Sequence, residues 1–272
     1  MITMSLRSAR EHATIANRVT EPRPLGGSIP WLERASQSER SDSSASRGVL
    51  TRASRLLWLV PALLAAAAPE SEHLRYQVNW PSGLALGEAQ LRIVNQQGRT
   101  ESEFSIDASV PGFQVLDKFH AIAGGDLCSL EFEKNSMHGK KASKEITTFE
   151  PARGVAIRKT NGGGSSELEV GACGHDALTF LSFVRQELIK GRVPGPQSIL
   201  FGGQYQIRMQ HKGAEMVQMP DGAVEADRLA GAVKTSIGEV VFEMYFARDR
   251  TRTPVLIKLP LAMGTFSMEL IR

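Results

Sequence analysis

The run FSIDASV, Phe104 to Val110, sets Phe104, Ile106, Ala108 and Val110 in strict alternation with Ser105, Asp107 and Ser109. Successive side chains of a strand point to opposite faces, so a period of two over this length marks a strand with one buried face. The same period returns at Tyr205, Ile207 and Met209, and again at Val240, Phe242, Met244 and Phe246. Working outward, shorter strand candidates cover Leu74 to Trp80, Ala85 to Val94, Leu127 to Lys134, Glu145 to Glu150, Val155 to Thr160 and Ser166 to Val170. Others cover Glu215 to Met219, Ala223 to Val233, Val255 to Leu259 and Thr265 to Ile271. Turn-forming clusters separate them, among them Pro81 to Gly83, Gly124 to Asp126, Asn161 to Gly164, Pro220 to Gly222 and Asp249 to Pro254. Many short strands at near-regular spacing predict a mainly β domain: an antiparallel barrel, half-barrel or sandwich.

One segment departs from this period. HDALTFLSFVRQELIK, residues 175–190, brings Leu178, Leu181, Val184 or Arg185, and Leu188 onto one helical face. Asp176 is placed to cap its N-terminus and Gly191 to end it, so one α-helix is expected to pack on the sheet. A short second helix is expected over Val115 to Ala121.

The chain has 272 residues and a formal net charge of +3. Residues 1–68 hold nine Arg, no Lys and five acids, whereas residues 69–272 hold 23 bases and 24 acids. The basicity therefore belongs to the leader, which removes the electrostatic argument for a nucleic-acid-binding body, since such a body should show a concentrated basic face. Residues 1–48 include SQSERSDSSAS (Ser36 to Ser46) and cannot bury a core, so they are expected to be disordered. Arg52 and Arg55 then precede LLWLVPALLAAAA, Leu56 to Ala68. A basic start, a short apolar block and a small-residue end describe a signal peptide over 49–67, cleaved after Ala67. This places the body, residues 68–272, as a single domain in the periplasm or outside the cell. An apolar block of 13 residues containing Pro61 is too short for a stable membrane span. A signal peptide so deep in the sequence points to a misassigned start, with translation beginning at Val49 or Leu50; the alternative is a genuine extension.

From Leu74 onward four motifs follow in order. Tyr76, Val78 and Trp80 lead into Gly87 and Ala89; Asp176 to Leu181 reads DALTFL and is followed by Arg185; Phe246 to Val255 reads FARDRTRTPV; Gly264 to Leu270 reads GTFSMEL. In this layout the body resembles the exported bacterial family known as domain of unknown function 3108. The resemblance implies a secreted, mostly antiparallel β domain and brings no catalytic residues with it. The family's topology is similar to that of half-barrel lipoprotein carriers of the cell envelope, a likeness of fold alone.

Cys128 and Cys173 are the only cysteines. In an exported chain an even number favours one disulfide, the alternatives being two buried free thiols or a reactive or metal-binding thiol. Cys173, Gly174, His175 and Asp176 would also suit a nucleophile or metal site, but Asp176 has a capping role. The five His of the body (73, 120, 138, 175 and 211) show no zinc spacing. There is no G-x-S-x-G elbow, P-loop or dinucleotide fingerprint, so no catalytic, cofactor or metal residues are expected. Asn161 to Gly164 lies between two strand candidates and reads as a hairpin turn rather than a phosphate loop. Asp249, Arg250 and Arg252 read as turn residues, the alternative being an anion site.

Of the seven Met in the body, six fall in the last 64 residues, interleaved with aromatic residues. Flexible, polarizable side chains suit a groove for variable apolar ligands and equally suit irregular core packing. The candidate groove comprises Tyr205, Met209, Met216, Phe242, Met244, Phe246, Met263, Phe266 and Met268. The functional expectation is a non-enzymatic periplasmic protein that binds a lipid or acylated chain. The alternatives are an envelope module docking another protein through a sheet edge, or an enzyme of unrecognised type.

Overall fold

A computed structural model of the chain describes residues 70–110, 112–235, 238–261 and 264–271. The expected disordered segment and signal peptide lie outside the described residues.

Among the described residues the alternating segments form fifteen strands, and the segment that departs from their period forms one helix. β1 (Glu70–Asn79), β2 (Ala85–Gln96), β3 (Arg99–Val110), β4 (Phe113–Gly124) and β5 (Ser129–His138) run as an antiparallel meander. It continues through β6 (Lys141–Glu150), β7 (Val155–Thr160) and β8 (Ser165–Glu169). After β9 (His175–Asp176) and the helix α1 (Ala177–Ile189), a second meander takes in β10 (Gln197–Leu200), β11 (Gln204–Met219) and β12 (Gly222–Thr235). It ends with β13 (Gly238–Ala247), β14 (Pro254–Leu261) and β15 (Gly264–Ile271). β1 pairs with β15, so both meanders belong to one sheet rather than to the two sheets of a sandwich. Every pairing is antiparallel except that of β9 with β10.

The ends of this sheet are β8 and β9, which are adjacent in the chain. The sheet curls to bring them close. Ser129 N at the start of β5 donates to Gly174 O at 2.9 Å, and Gln204 Nε2 in β11 donates to Glu169 O at 2.7 Å. The result is barrel-like, with a seam between β8 and β9.

The segment expected to be a short helix, Val115 to Ala121, lies within β4. Its spacing of Val115, Leu116 and Phe119 fits a helix, but Phe119 stacks between Phe104 (centroids 6.1 Å) and Phe132 (6.3 Å) on neighbouring strands. Those contacts outweigh local preference. The expected hairpin at Asn161 to Gly164 joins β7 to β8.

α1 begins where Asp176 caps it, accepting from Leu178 N (2.8 Å) and Thr179 N (3.0 Å). It stops where Gly191 takes a φ of 72°, a left-handed conformation suited to glycine. A helix of 13 residues is marginal alone, so packing must hold it. Leu178 packs with Phe119, Ala121, Phe132, Phe149, Ala156 and Leu200. Phe180, Val184 and Leu188 pack with Ile199, Ile207, Met209, Leu229, Met244 and Phe246. Each such burial contributes roughly 2 kcal/mol. α1 thus lies on the inner face of the sheet and touches strands of both meanders.

β11 and β12 are the longest strands. A bulge between His211 and Ala214 shifts the alternation of β11 by one residue, so that Val217, paired with Val224, joins a buried cluster with Tyr245 and Leu256.

Candidate functional site: a mouth beside the inner helix

The Cys173 to Asp176 stretch closes the seam. Cys173 forms a disulfide with Cys128, with Cα atoms 4.8 Å apart. The Asp176 side chain is fully buried and accepts two further bonds, from Ser129 Oγ (2.6 Å) and Thr179 Oγ1 (2.6 Å). Burial pushes its carboxyl pKa up, and these hydrogen bonds act against that. His175 stacks on Phe183 at 4.8 Å, and burial holds its pKa below the ordinary value. Cys173, Gly174 and Asp176 thus close the fold, while His175 Nδ1 is buried without a hydrogen-bond partner.

Next to this seam, α1 is anchored by charge. Arg185 Nη1 and Nη2 donate to the Glu72 carboxylate at 2.6 and 2.9 Å, and Nε donates to Thr251 O at 3.0 Å. Arg185 is only 7% exposed, so this bidentate pair with β1 is nearly desolvated. The Asp249 to Pro254 turn supplies the other wall. Asp249 Oδ1 accepts from Thr251 N (3.1 Å) and Thr253 N (3.0 Å), while Arg252 pairs with Asp227 at 2.7 Å. Asp249 and Arg252 are therefore turn residues; Arg250 has no ion pair among the described residues.

Between α1, the start of β1, the β2–β3 turn and the Arg250–Thr251 loop lies an opening of about 840 Å3. Ile93, Leu127 and Ile189 supply apolar wall, and Ser182, Arg185 and Gln186 present the polar side of α1. Ile93 and Leu127 are buried, while Ile189 is 56% exposed. This volume falls within the range of small-molecule sites, roughly 300–1,000 Å3.

Seven of the nine candidate groove residues share the inner face. Met209, Met244 and Phe246 are buried beneath α1 with Tyr205 and Phe242 at the margin of the same cluster. Phe242 lies across Gly231 of β12, where an added Cβ would stand 2.3 Å from the ring. Phe266 and Met268 are buried on β15, Phe266 edge-on to Trp80 at 5.0 Å. In this arrangement Met209, Met244 and Phe246 are packed against the helix, while Phe266 packs against Trp80. Met216 stands apart, 61% exposed near the end of the β11–β12 hairpin, where it pairs with Glu225. Met263 lies outside the described residues.

Met216 instead borders a cleft of about 850 Å3 on the outer face, between the hairpin and β13–β15, with Trp80, Val241, Tyr245 and Lys258. Elsewhere on the sheet, Glu101, Glu103 and His120 hold ligand-type atoms within 4.8 Å of one another, with both carboxylates exposed. His120 Nε2 lies 2.7 Å from Glu101 Oε1, within hydrogen-bond distance. Among the described residues no helix is long and apolar enough to cross a membrane.

The fold and the mouth define a barrel-like antiparallel β protein with a helix on its inner face. The chain belongs to the family described as protein of unknown function (DUF3108), which matches residues 75–271. No curated protein matches it. Among solved structures, it is similar to a β-barrel-like protein of domain of unknown function DUF1849 from Brucella abortus. That likeness has a TM-score of 0.54 at 9% identity and covers 74% of this chain and 95% of the other. A candidate exported protein with a YmcC-like fold from Bacteroides fragilis matches over the same shares at 8% identity, with a TM-score of 0.27.

Proposed function

We propose that this is an exported β protein that binds the apolar chain of a lipid or acylated ligand, admitted through the mouth beside α1. The observation that carries the reading is the opening of about 840 Å3 walled by Ile93, Leu127 and the exposed Ile189. It borders the helix whose other side covers the Met and Phe side chains of the inner face. Flexible thioethers can repack around an incoming chain where rigid side chains could not. The sequence features consistent with signal-directed export, and the disulfide, agree with an oxidising compartment.

The test is displacement of a fluorescent acyl probe, together with mass spectrometry of ligands retained on native purification. Binding that falls at least about tenfold in Ile189→Glu, with the melting temperature unchanged, supports the reading; each factor of ten is about 1.4 kcal/mol. Absence of both retained lipid and probe binding would refute it.

A second reading, docking of another envelope protein, is favoured by the outer cleft, where Met216 and Val241 are 61% and 48% exposed. The free sheet edge supports it less, because β8 has only five residues and carries Glu167 and Glu169. Photo-crosslinking from position 216 in cells tests it: a discrete adduct supports docking at the cleft, and none argues against it.

A further inference from the structure

The charged groups lining the mouth are Glu70, Glu72, Arg99, Arg185 and Arg250. Glu72 and Arg185 neutralise each other in their bidentate pair. Arg99, beside the β2–β3 turn, and Arg250, in the β13–β14 loop, have no hydrogen-bond or ion-pair partner for their side chains among the described residues. Most other Arg side chains of the sheet are paired, as Arg75 is with Glu88, Arg92 with Glu103, Arg153 with Glu167, Arg158 with Glu145 and Arg228 with Glu215. Two unpaired guanidiniums therefore face one opening against the single carboxylate of Glu70. In the same wall Ser182 Oγ is buried with no hydrogen-bond partner. A buried hydroxyl without a partner costs stability, and a ligand oxygen reaching it would recover that cost.

From this juxtaposition we infer that the mouth receives an anionic headgroup, a phosphate or carboxylate, held by Arg99 and Arg250 with Ser182 Oγ donating to it. The inference rests on the chain-binding reading and names its ligand class as an acidic amphiphile. Guanidinium groups suit this role because their planar donors match phosphate and carboxylate oxygens two at a time. The apolar wall of Ile93, Leu127 and Ile189 takes the start of the acyl chain.

The experiment compares a lysophosphatidic acid, a monoacylglycerol with the same acyl chain, and inorganic phosphate by calorimetry. The proteins are the wild type, Arg99→Gln/Arg250→Gln and Ser182→Ala. The wild type is expected to bind the acidic amphiphile at least about tenfold more tightly than the neutral one, since charge-assisted hydrogen bonds are roughly twice as strong as neutral ones. The Arg double variant should lose that preference while keeping its affinity for the monoacylglycerol and its melting temperature. Ser182→Ala should lose part of it. Equal binding of the two amphiphiles by the wild type would overturn the headgroup assignment and leave chain binding intact. Phosphate binding that is lost in the double variant, with neither amphiphile bound, would keep the anion site and overturn chain binding. No binding of any of the three would overturn both.

Discussion

Replacing Cys128 and Cys173 with Ser tests how the seam is held. The bridge closes a loop of 45 residues, and in the chain-entropy account such a loop restrains the unfolded state by about 4 kcal/mol. The native seam should survive without it. Ser129 N still donates to Gly174 O (2.9 Å), Ser129 Oγ to the Asp176 carboxylate (2.6 Å) and Asp176 N to Ser129 Oγ (2.8 Å). The loss should therefore appear almost wholly in the unfolded ensemble. For a domain of this size it corresponds to a fall in melting temperature of roughly 8–16 °C. Guanidinium unfolding followed by far-UV circular dichroism should show a lower midpoint and a somewhat steeper transition, because the freed chain exposes more surface. The native spectrum should be unchanged. A loss below about 1 kcal/mol would refute the loop-entropy account, since a loop this long cannot cost so little to close in that account. A native spectrum depleted in helix would instead show that the disulfide, not the hydrogen bonds, positions α1.

Other expected outcomes follow from the packing around α1. Asp176→Ala removes the cap and leaves the Ser129 and Thr179 hydroxyls without their acceptor, so denaturant unfolding should report a loss of about 3 kcal/mol. Gly231→Ala drives a methyl into the Phe242 ring and should cost roughly 1–3 kcal/mol, most of it recovered by adding Phe242→Leu, as a double-mutant cycle would show. His175 is held neutral by burial, its pKa lying below 6.5. As pH falls below that value the unfolded chain takes up a proton that the folded chain refuses, so stability should fall. His175→Phe, which can keep the stack on Phe183, should flatten the dependence of midpoint on pH in that window.

The strands and α1 were largely legible because each shows its period in a single stretch. Val155 to Thr160 is expected as a strand and forms β7, and Asp176 and Gly191 end α1 as their residue types predict. β4 was not legible because the helical spacing of its apolar residues is overridden by rings from β3 and β5. β10 was hidden behind Pro194, Gly195 and Pro196, which punctuate the approach to a four-residue strand. The mouth was still harder to read. Arg185 stands out in its motif, but Glu72 lies 113 residues away, and the lining comes from well-separated stretches. The candidate groove was chosen by side-chain type on neighbouring strands. Composition cannot tell a cavity lining from a core, since both favour the same flexible apolar groups.

Because β1 pairs with β15 while the sheet's free ends are β8 and β9, this fold is cyclic in order with its break in the middle of the chain. The β1–β15 ladder and the Cys128–Cys173 bridge clasp the two meanders at opposite borders, one without a covalent link and one with it. A chain emerging from its N-terminus could complete β1 to β8 early, but β1 would have no partner on its outer side until the last residues arrived. The final folding step is then a long-range closure rather than a local hairpin, and such closures are slow. The same geometry makes a permuted chain feasible. Residues 271 and 70 could be joined by a short linker and new ends opened between Val170 and Ala172, so that the late closure becomes a local turn.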